Sequence, residues 1–114
     1  QAPTLTTGVH SIVSKYINNP ITSAIVIGGL EPFDSEEDLR ILITYLRVST
    51  QDDIVIYTGY TKEEVQEREI YQYLLKAKNI IIKFGRFVPN QQSRYDEVLG
   101  INLASGNQFA ERIS

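Results

Sequence analysis

Three short apolar runs, each followed by a glycine, constrain the fold of this chain most strongly. The runs are centred on residues 24–27, 53–57 and 80–82, and the glycines that follow them are Gly28, Gly59 and Gly85. Unbroken aliphatic runs of this length are typical of strands buried on both faces of a parallel sheet. Helical patterns separate the runs, which predicts right-handed strand–helix–strand crossovers. The sequence therefore predicts an α/β fold, with a three-layer parallel sheet between covering helices.

Two helices are predicted between these strands. The first begins at Asp34 or Ser35 and runs to about Arg47, with acidic residues in its first turn, where the helix dipole favours them. The second follows Thr61, because Thr61 and Glu64 have the spacing of a capping box. Its apolar positions fit one face poorly, so we expect an irregular turn around residues 66–68.

A further helix is predicted before the first strand, with Thr6 or Thr7 as its N-cap. Its apolar residues recur at the spacing of one helical face, namely Val9, Ile12, Val13, Tyr16 and Ile17. In this scheme the helix needs a strand before it, and residues 1–5 are too few to supply one. We therefore expect that a preceding strand is missing, and that the exposed sheet edge pairs with a second copy as a homodimer.

At 114 residues, the chain has the length of a single domain covering residues 1–114. Residues 1–85 contain the strand–helix units. Residues 86–114 differ, because proline, asparagine, glutamine, serine and glycine interrupt short apolar stretches there. We expect this C-terminal segment to be irregular, with loops and one short strand.

Composition excludes several classes of function. The chain has no cysteine, which rules out a thiolate nucleophile and a cysteine-bound metal within it, and the single histidine, His10, makes a Ser-His-Asp triad improbable. A net charge of −3 argues against nucleic acid as a partner. No apolar run is long enough to span a membrane, and no leader is evident, so we expect a cytoplasmic protein.

Candidate binding residues lie in the turns after the strands. Ligands of parallel sheets bind at the carboxyl ends of the strands, and glycines there allow a ligand to approach the main chain. Gly28, Gly29 and Glu31 follow the first strand, and the glutamate suits an amino group or a ribose hydroxyl. A structural interpretation stays open, in which the glycines only permit a sharp turn and Glu31 is solvated.

Basic residues also gather around the third strand, namely Lys76, Lys78, Lys83 and Arg86. A solvated rim explains them about as well as an anion site does, and we favour the rim.

Four motifs in order point to a known family. They are Ile25-Val26-Ile27-Gly28-Gly29-Leu30-Glu31-Pro32, Tyr57-Thr58-Gly59-Tyr60, Gly85-Arg86-Phe87 and Asn107-Gln108. In this order they resemble the C-terminal part of the activating proteins of anaerobic ribonucleoside-triphosphate reductases, a family of radical S-adenosylmethionine enzymes. The resemblance covers most of the chain from about residue 21 onward.

The resemblance implies a fragment of a partial (β/α) barrel that binds S-adenosylmethionine beside a [4Fe-4S] cluster. The turn with Gly28, Gly29 and Glu31 would receive the amino group of the cofactor, and Thr58 and Gly59 would lie near the rest of it. The intact enzyme would cleave the cofactor reductively and generate a glycyl radical on its partner, the anaerobic ribonucleotide reductase.

The chain departs from the family in two places. Leu30 is inserted between Gly29 and Glu31 relative to the commonest form of the turn. The three cluster-binding cysteines are absent, and in the family they would fall just before Gln1. We therefore assign no metal ligand and no catalytic residue, and we expect the fragment itself to be inactive. The alternative is a non-catalytic α/β module that binds a nucleotide-like metabolite or a partner protein through the same surface.

Overall fold

The computed structural model describes residues 12–18 and 23–114. Seven strands and three helices are present in this part of the chain. The strands are β1 (Ile12–Asn18), β2 (Ser23–Gly29), β3 (Asp53–Tyr57), β4 (Ile80–Phe84), β5 (Arg94–Asp96), β6 (Ile101–Leu103) and β7 (Phe109–Arg112). The helices are α1 (Glu36–Ser49), α2 (Lys62–Gln66) and α3 (Ile70–Ala77), and a 3₁₀ turn spans Pro32–Asp34.

Five strands form the main sheet, in the order β1-β2-β3-β4-β7, and β5 and β6 pair separately. The central strands β2, β3 and β4 are parallel, as their apolar runs predicted. Both outer strands run antiparallel to their neighbours. The prediction of a parallel sheet is therefore correct for the centre and wrong for the edges, and the fold is α/β with a mixed sheet.

The helix predicted over residues 9–17 is wrong where the structure describes it. Residues 12–18 form β1, which pairs with β2 along its whole length, from Ile12 opposite Gly29 to Asn18 opposite Ser23. Isoleucine, valine and tyrosine are strong strand formers, and the pairing with β2 outweighs a helical spacing that these residues also satisfy. The expected cap at Thr6 or Thr7 lies outside the described residues. Because residues 12–18 form a strand and not a helix, the fold no longer requires a further strand before them.

The predicted three-layer arrangement is also corrected, because the described helices cover only one face of the sheet. That face and the helices share a core that includes Ile25, Ile27, Leu39, Leu42, Ile43, Ile54, Ile56, Ile70, Leu74, Ile80, Ile82 and Phe84. On the other face, Val55, Ile81 and Ala110 form a small cluster that contains no helical residue. Leu99, between β5 and β6, packs against this cluster. Alternate residues of the central strands therefore face two different environments.

The helical predictions are confirmed in outline. Helix α1 carries Glu36, Glu37 and Asp38 in its first turn. The capping box is present, with the Thr61 side chain accepting from the Glu64 amide and the Glu64 carboxylate accepting from the Thr61 amide. The expected irregularity is a break between α2 and α3 at residues 67–69.

The C-terminal segment contains more regular structure than the sequence predicted. Residues 86–114 hold three short strands, and β7 joins the main sheet beside β4. The buried Asp96 links the two parts of this segment, because its carboxylate accepts from the amides of Leu99 (3.0 Å) and Ala110 (2.7 Å). The contact with Ala110 joins residues that are 14 positions apart, and it leaves no local pattern in the sequence.

Within residues 12–18 and 23–114, no helix has both the length and the apolar character needed to cross a bilayer. The proposed homodimer stays a prediction.

Candidate functional site

The turns after β2, β3 and β4 meet at one end of the sheet and enclose a cleft of about 310 Å³. All five residues proposed as binding residues from the sequence line it, namely Gly28, Gly29, Glu31, Thr58 and Gly59. The structure thus brings these residues together from two separate turns. Whether they bind a cofactor stays a prediction.

Glu31 joins the first two turns. One carboxylate oxygen, Oε1, accepts from the Gly59 amide at 2.8 Å. The other, Oε2, accepts from the Thr58 hydroxyl at 2.7 Å and from the Phe33 amide at 3.1 Å. Glu31 is therefore not simply solvated. A carboxylate offers about four acceptor positions, so one position on Oε1 remains for a further donor.

Local backbone preferences set the position of Glu31. Gly29 has a φ of 91°, a conformation that glycine adopts without steric cost. Pro32 then begins the 3₁₀ turn, which buries Phe33 in the core. Arg68, in the break between α2 and α3, supports this turn by donating to the Phe33 carbonyl at 2.7 Å. Its guanidinium also pairs with Glu36 at 3.0 Å.

The third turn is held by two residues that immediately precede β7. Asn107 Nδ2 donates to the Arg86 carbonyl at 2.9 Å, and Gln108 Nε2 donates to the Gly85 carbonyl at 3.0 Å. Gly85 has a φ of 97°, and a Cβ there would lie 3.2 Å from the Asn107 carbonyl oxygen. Two motifs that are far apart in sequence therefore form one structural unit beside the cleft.

Lys83 and Tyr57 line the cleft on the face of the sheet that none of the described helices covers. The two residues are register partners in β4 and β3, and the Lys83 ammonium lies 4.6 Å from the centre of the Tyr57 ring. Burial lowers the pKa of Lys83, an effect that the negative charge of Glu31 partly offsets. Burial likewise raises the pKa of the Tyr57 phenol.

Sequence reasoning missed several residues that line the cleft, above all Tyr57, Lys83 and Gln108. Lys83 did give a signal, because a charged residue interrupts the end of an aliphatic strand on the side where ligands bind. The preferred interpretation of Lys83 as part of a solvated rim does not fit its half-buried place in the cleft. Gln108 belongs to the Asn107-Gln108 motif, but its place in the cleft depends on the pairing of β7 with β4.

Fold and site together define a class of protein: an α/β domain with a polar, glycine-lined cleft at the carboxyl ends of its parallel strands. The chain belongs to the 4Fe-4S single cluster domain family, whose model matches residues 3–108. This match confirms the expected relation to an iron–sulfur family, whereas the narrower relation to the reductase-activating proteins stays a prediction. No curated protein and no solved structure matches the chain.

The residues of this chain do not fit the cluster that gives the family its name. Iron–sulfur clusters are held by cysteine thiolates, and the 114 residues contain none. Among the described residues there is also no group of three or more acidic or histidine side chains placed to hold a metal ion. The residues of this chain therefore supply no ligand set for the cluster.

Proposed function

We propose that this chain forms the S-adenosylmethionine-binding part of a radical S-adenosylmethionine enzyme, the activating protein of an anaerobic ribonucleotide reductase. The observation that carries the proposal is the junction at Glu31, which draws the Gly28-Gly29 turn and the Thr58-Gly59 turn into one cleft. The four sequence motifs in family order support the assignment to the activating proteins.

The residues present fit the cofactor. Its amino group needs an acceptor, and Oε1 of Glu31 has one acceptor position left after bonding the Gly59 amide. A Cβ built on Gly28 would lie 3.8 Å from the Cβ of Tyr57, so the glycine leaves room in the cleft that a side chain would take. The volume of about 310 Å³ is at the lower end of the range for small-molecule sites.

The role that follows for this chain is binding and orientation. Bound S-adenosylmethionine would supply the adenosyl radical chemistry, while the protein supplies position and electrostatics. Glu31 holds the amino end of the cofactor, and the backbone of the glycine turns lies against the rest of it. We assign no catalytic residue to the chain.

A second candidate follows from the absence of cysteine in the whole chain. A cleft with no means of holding a cluster suits a non-catalytic α/β module that binds a nucleotide-like metabolite. The two candidates share the cleft and differ in the ligand that it prefers.

Isothermal titration calorimetry with S-adenosylmethionine and with AMP tests both candidates. We expect S-adenosylmethionine to bind with a millimolar or lower Kd and more tightly than AMP. Gly28→Val should weaken that binding by about tenfold or more, because the side chain takes up cleft volume, a loss of about 1.4 kcal/mol. Ser49→Val is the control, since it adds the same side chain at an exposed position where α1 ends, at the opposite end of the sheet.

Preference for AMP over S-adenosylmethionine would favour the second candidate. No binding of S-adenosylmethionine at millimolar concentration, or equal binding by Gly28→Val and wild type, would refute the proposal.

A further inference from the structure

Arg68 forms a second junction between the turns of the cleft, although it does not line the cleft itself. One guanidinium nitrogen, Nη1, donates to the Phe33 carbonyl at 2.7 Å and lies 3.0 Å from the Glu36 carboxylate. The other terminal nitrogen, Nη2, lies 3.8 Å from the Asp34 carboxylate. The guanidinium carbon lies 4.5 Å from the centre of the Tyr60 ring. Arg68 therefore holds the 3₁₀ turn after β2 against the turn after β3.

Tyr60 extends this junction to the third turn. Its carbonyl accepts from the Gly85 amide at 3.0 Å. Its amide donates to the Thr58 hydroxyl at 3.0 Å, and its own hydroxyl donates to the Asp34 carboxylate. The cation–π contact between Arg68 and the Tyr60 ring thus connects the guanidinium to all three turns that enclose the cleft.

The contact of Arg68 with Phe33 bears directly on Glu31. Glu31 is the N-cap of the 3₁₀ turn, and its Oε2 accepts from the Phe33 amide at 3.1 Å. Phe33 therefore gives its carbonyl to Arg68 and its amide to Glu31. Fixing the turn through the carbonyl also fixes the direction of the amide, and this favours one rotamer of a glutamate that has several. A carboxylate fixed in this way loses less conformational entropy when a ligand binds.

We propose that Arg68 is a positioning residue for the ligand-binding carboxylate of Glu31. This inference rests on the proposed function and names a residue outside the cleft on which that function depends. Arg68 keeps Oε1 of Glu31, which accepts from the Gly59 amide, in place for the amino group of S-adenosylmethionine. Without the guanidinium, Glu31 gains solvated rotamers, and the Gly59 amide loses its acceptor in part of the molecules.

The first test needs no ligand. Amide hydrogen exchange of the ¹⁵N-labelled full chain is measured by NMR for wild type, Arg68→Gln and Arg68→Lys. The Gly59 amide should exchange about threefold faster or more in Arg68→Gln, because its acceptor is released. The Ala110 amide should exchange at the wild-type rate, since it donates to Asp96 and belongs to the cluster on the other face of the sheet.

The second test is calorimetry with S-adenosylmethionine. An acceptor that is no longer fixed predicts about threefold weaker binding or more in Arg68→Gln. Arg68→Lys keeps a cation that can donate to the Phe33 carbonyl, but it lacks the planar guanidinium that contacts several groups at once. It should therefore recover part of both effects, and it carries both tests if Arg68→Gln does not fold.

Arg112→Gln is the matched control. It makes the same substitution in a residue that pairs with Asp53, where β3 begins at the opposite end of the sheet. We expect this variant to match wild type in the exchange rate of the Gly59 amide and in the affinity for S-adenosylmethionine.

The outcomes separate this inference from the proposed function. Equal acceleration of the Gly59 and Ala110 amides would show that Arg68 only stabilises the fold, and it would overturn the inference. A wild-type exchange rate at Gly59, or an unchanged affinity for S-adenosylmethionine, in Arg68→Gln would overturn it as well. If wild type does not bind S-adenosylmethionine, the proposed function fails, whereas selective acceleration at Gly59 would still support the positioning of Glu31 by Arg68.

Discussion

Removal of the Glu31 carboxylate should destabilise the fold as well as the cleft. Glu31→Ala deletes an acceptor for three donors, the Phe33 amide, the Thr58 hydroxyl and the Gly59 amide. Hydrogen bonds to a charged group contribute about 1.5 to 3 kcal/mol each, and water can reach part of this site and replace some of them. We expect a loss of about 2 to 4 kcal/mol in the free energy of unfolding, a large fraction of the stability of an ordinary domain.

Urea unfolding followed by circular dichroism measures this loss. Glu31→Gln keeps one oxygen acceptor and places an NH₂ group against the remaining donor or donors, so it should lose about 1 to 2 kcal/mol. Glu97→Ala is the control, because Glu97 is an exposed residue that follows β5. If Glu31→Ala lies within about 0.5 kcal/mol of that control, a range typical of surface changes, the junction between the two turns does not stabilise the fold.

Three further predictions concern other parts of the structure. Asp96→Ala should lose about 2 to 4 kcal/mol and expose the Ala110 amide to faster hydrogen exchange, since a buried acceptor is removed; unchanged exchange there would contradict this. Gly85→Ala should lose about 1 to 3 kcal/mol in urea unfolding, because φ is 97° and the new Cβ meets Asn107; a neutral result would show that the turn relaxes. The pKa of Lys83 is lowered from its usual 10.5 by burial, so the unfolded state binds more protons between the two pKa values. The free energy of unfolding of wild type should therefore rise relative to that of Lys83→Met as the pH increases through that window. A difference between the two that does not change between pH 7 and 10.5 would contradict a lowered pKa of Lys83.

The central strands and their turns could be predicted because their signals are local. Central parallel strands favour continuous aliphatic residues, as in residues 25–27 and 80–82, and the glycines that follow mark the ligand end of the sheet. The capping box at Thr61 is equally local. The five proposed binding residues lie in the turns after β2 and β3, and parallel strands place these turns at the same end of the sheet.

The errors arose where long-range contacts decide the structure. Ile12, Val13, Tyr16 and Ile17 fit one face of a helix, yet the same residues form a strand once β2 is available as a partner. The C-terminal segment gains its strands by pairing with β4 and through the carboxylate of Asp96. In each case the residues that stabilise the strand lie elsewhere in the sequence, so the local pattern does not reveal them.

For the same reason, the sequence predicted only some of the residues that line the cleft. Its glutamate and glycines lie in recognisable turns, whereas Gln108 precedes β7 and reaches the cleft through the pairing of β7 with β4. The place of Lys83 in the cleft depends on the sheet face that none of the described helices covers and on the ring of Tyr57, over which its ammonium lies.

An amide chemical-shift titration of the ¹⁵N-labelled chain with S-adenosylmethionine tests the central claim most directly, because it locates the ligand as well as detecting it. If the cleft binds the cofactor, the largest shifts should appear at the amides of Gly28, Gly29, Gly59 and Gly85, which line it. Shifts confined to β5 and β6, or no shifts at millimolar ligand, would contradict the assignment of this cleft as the cofactor site.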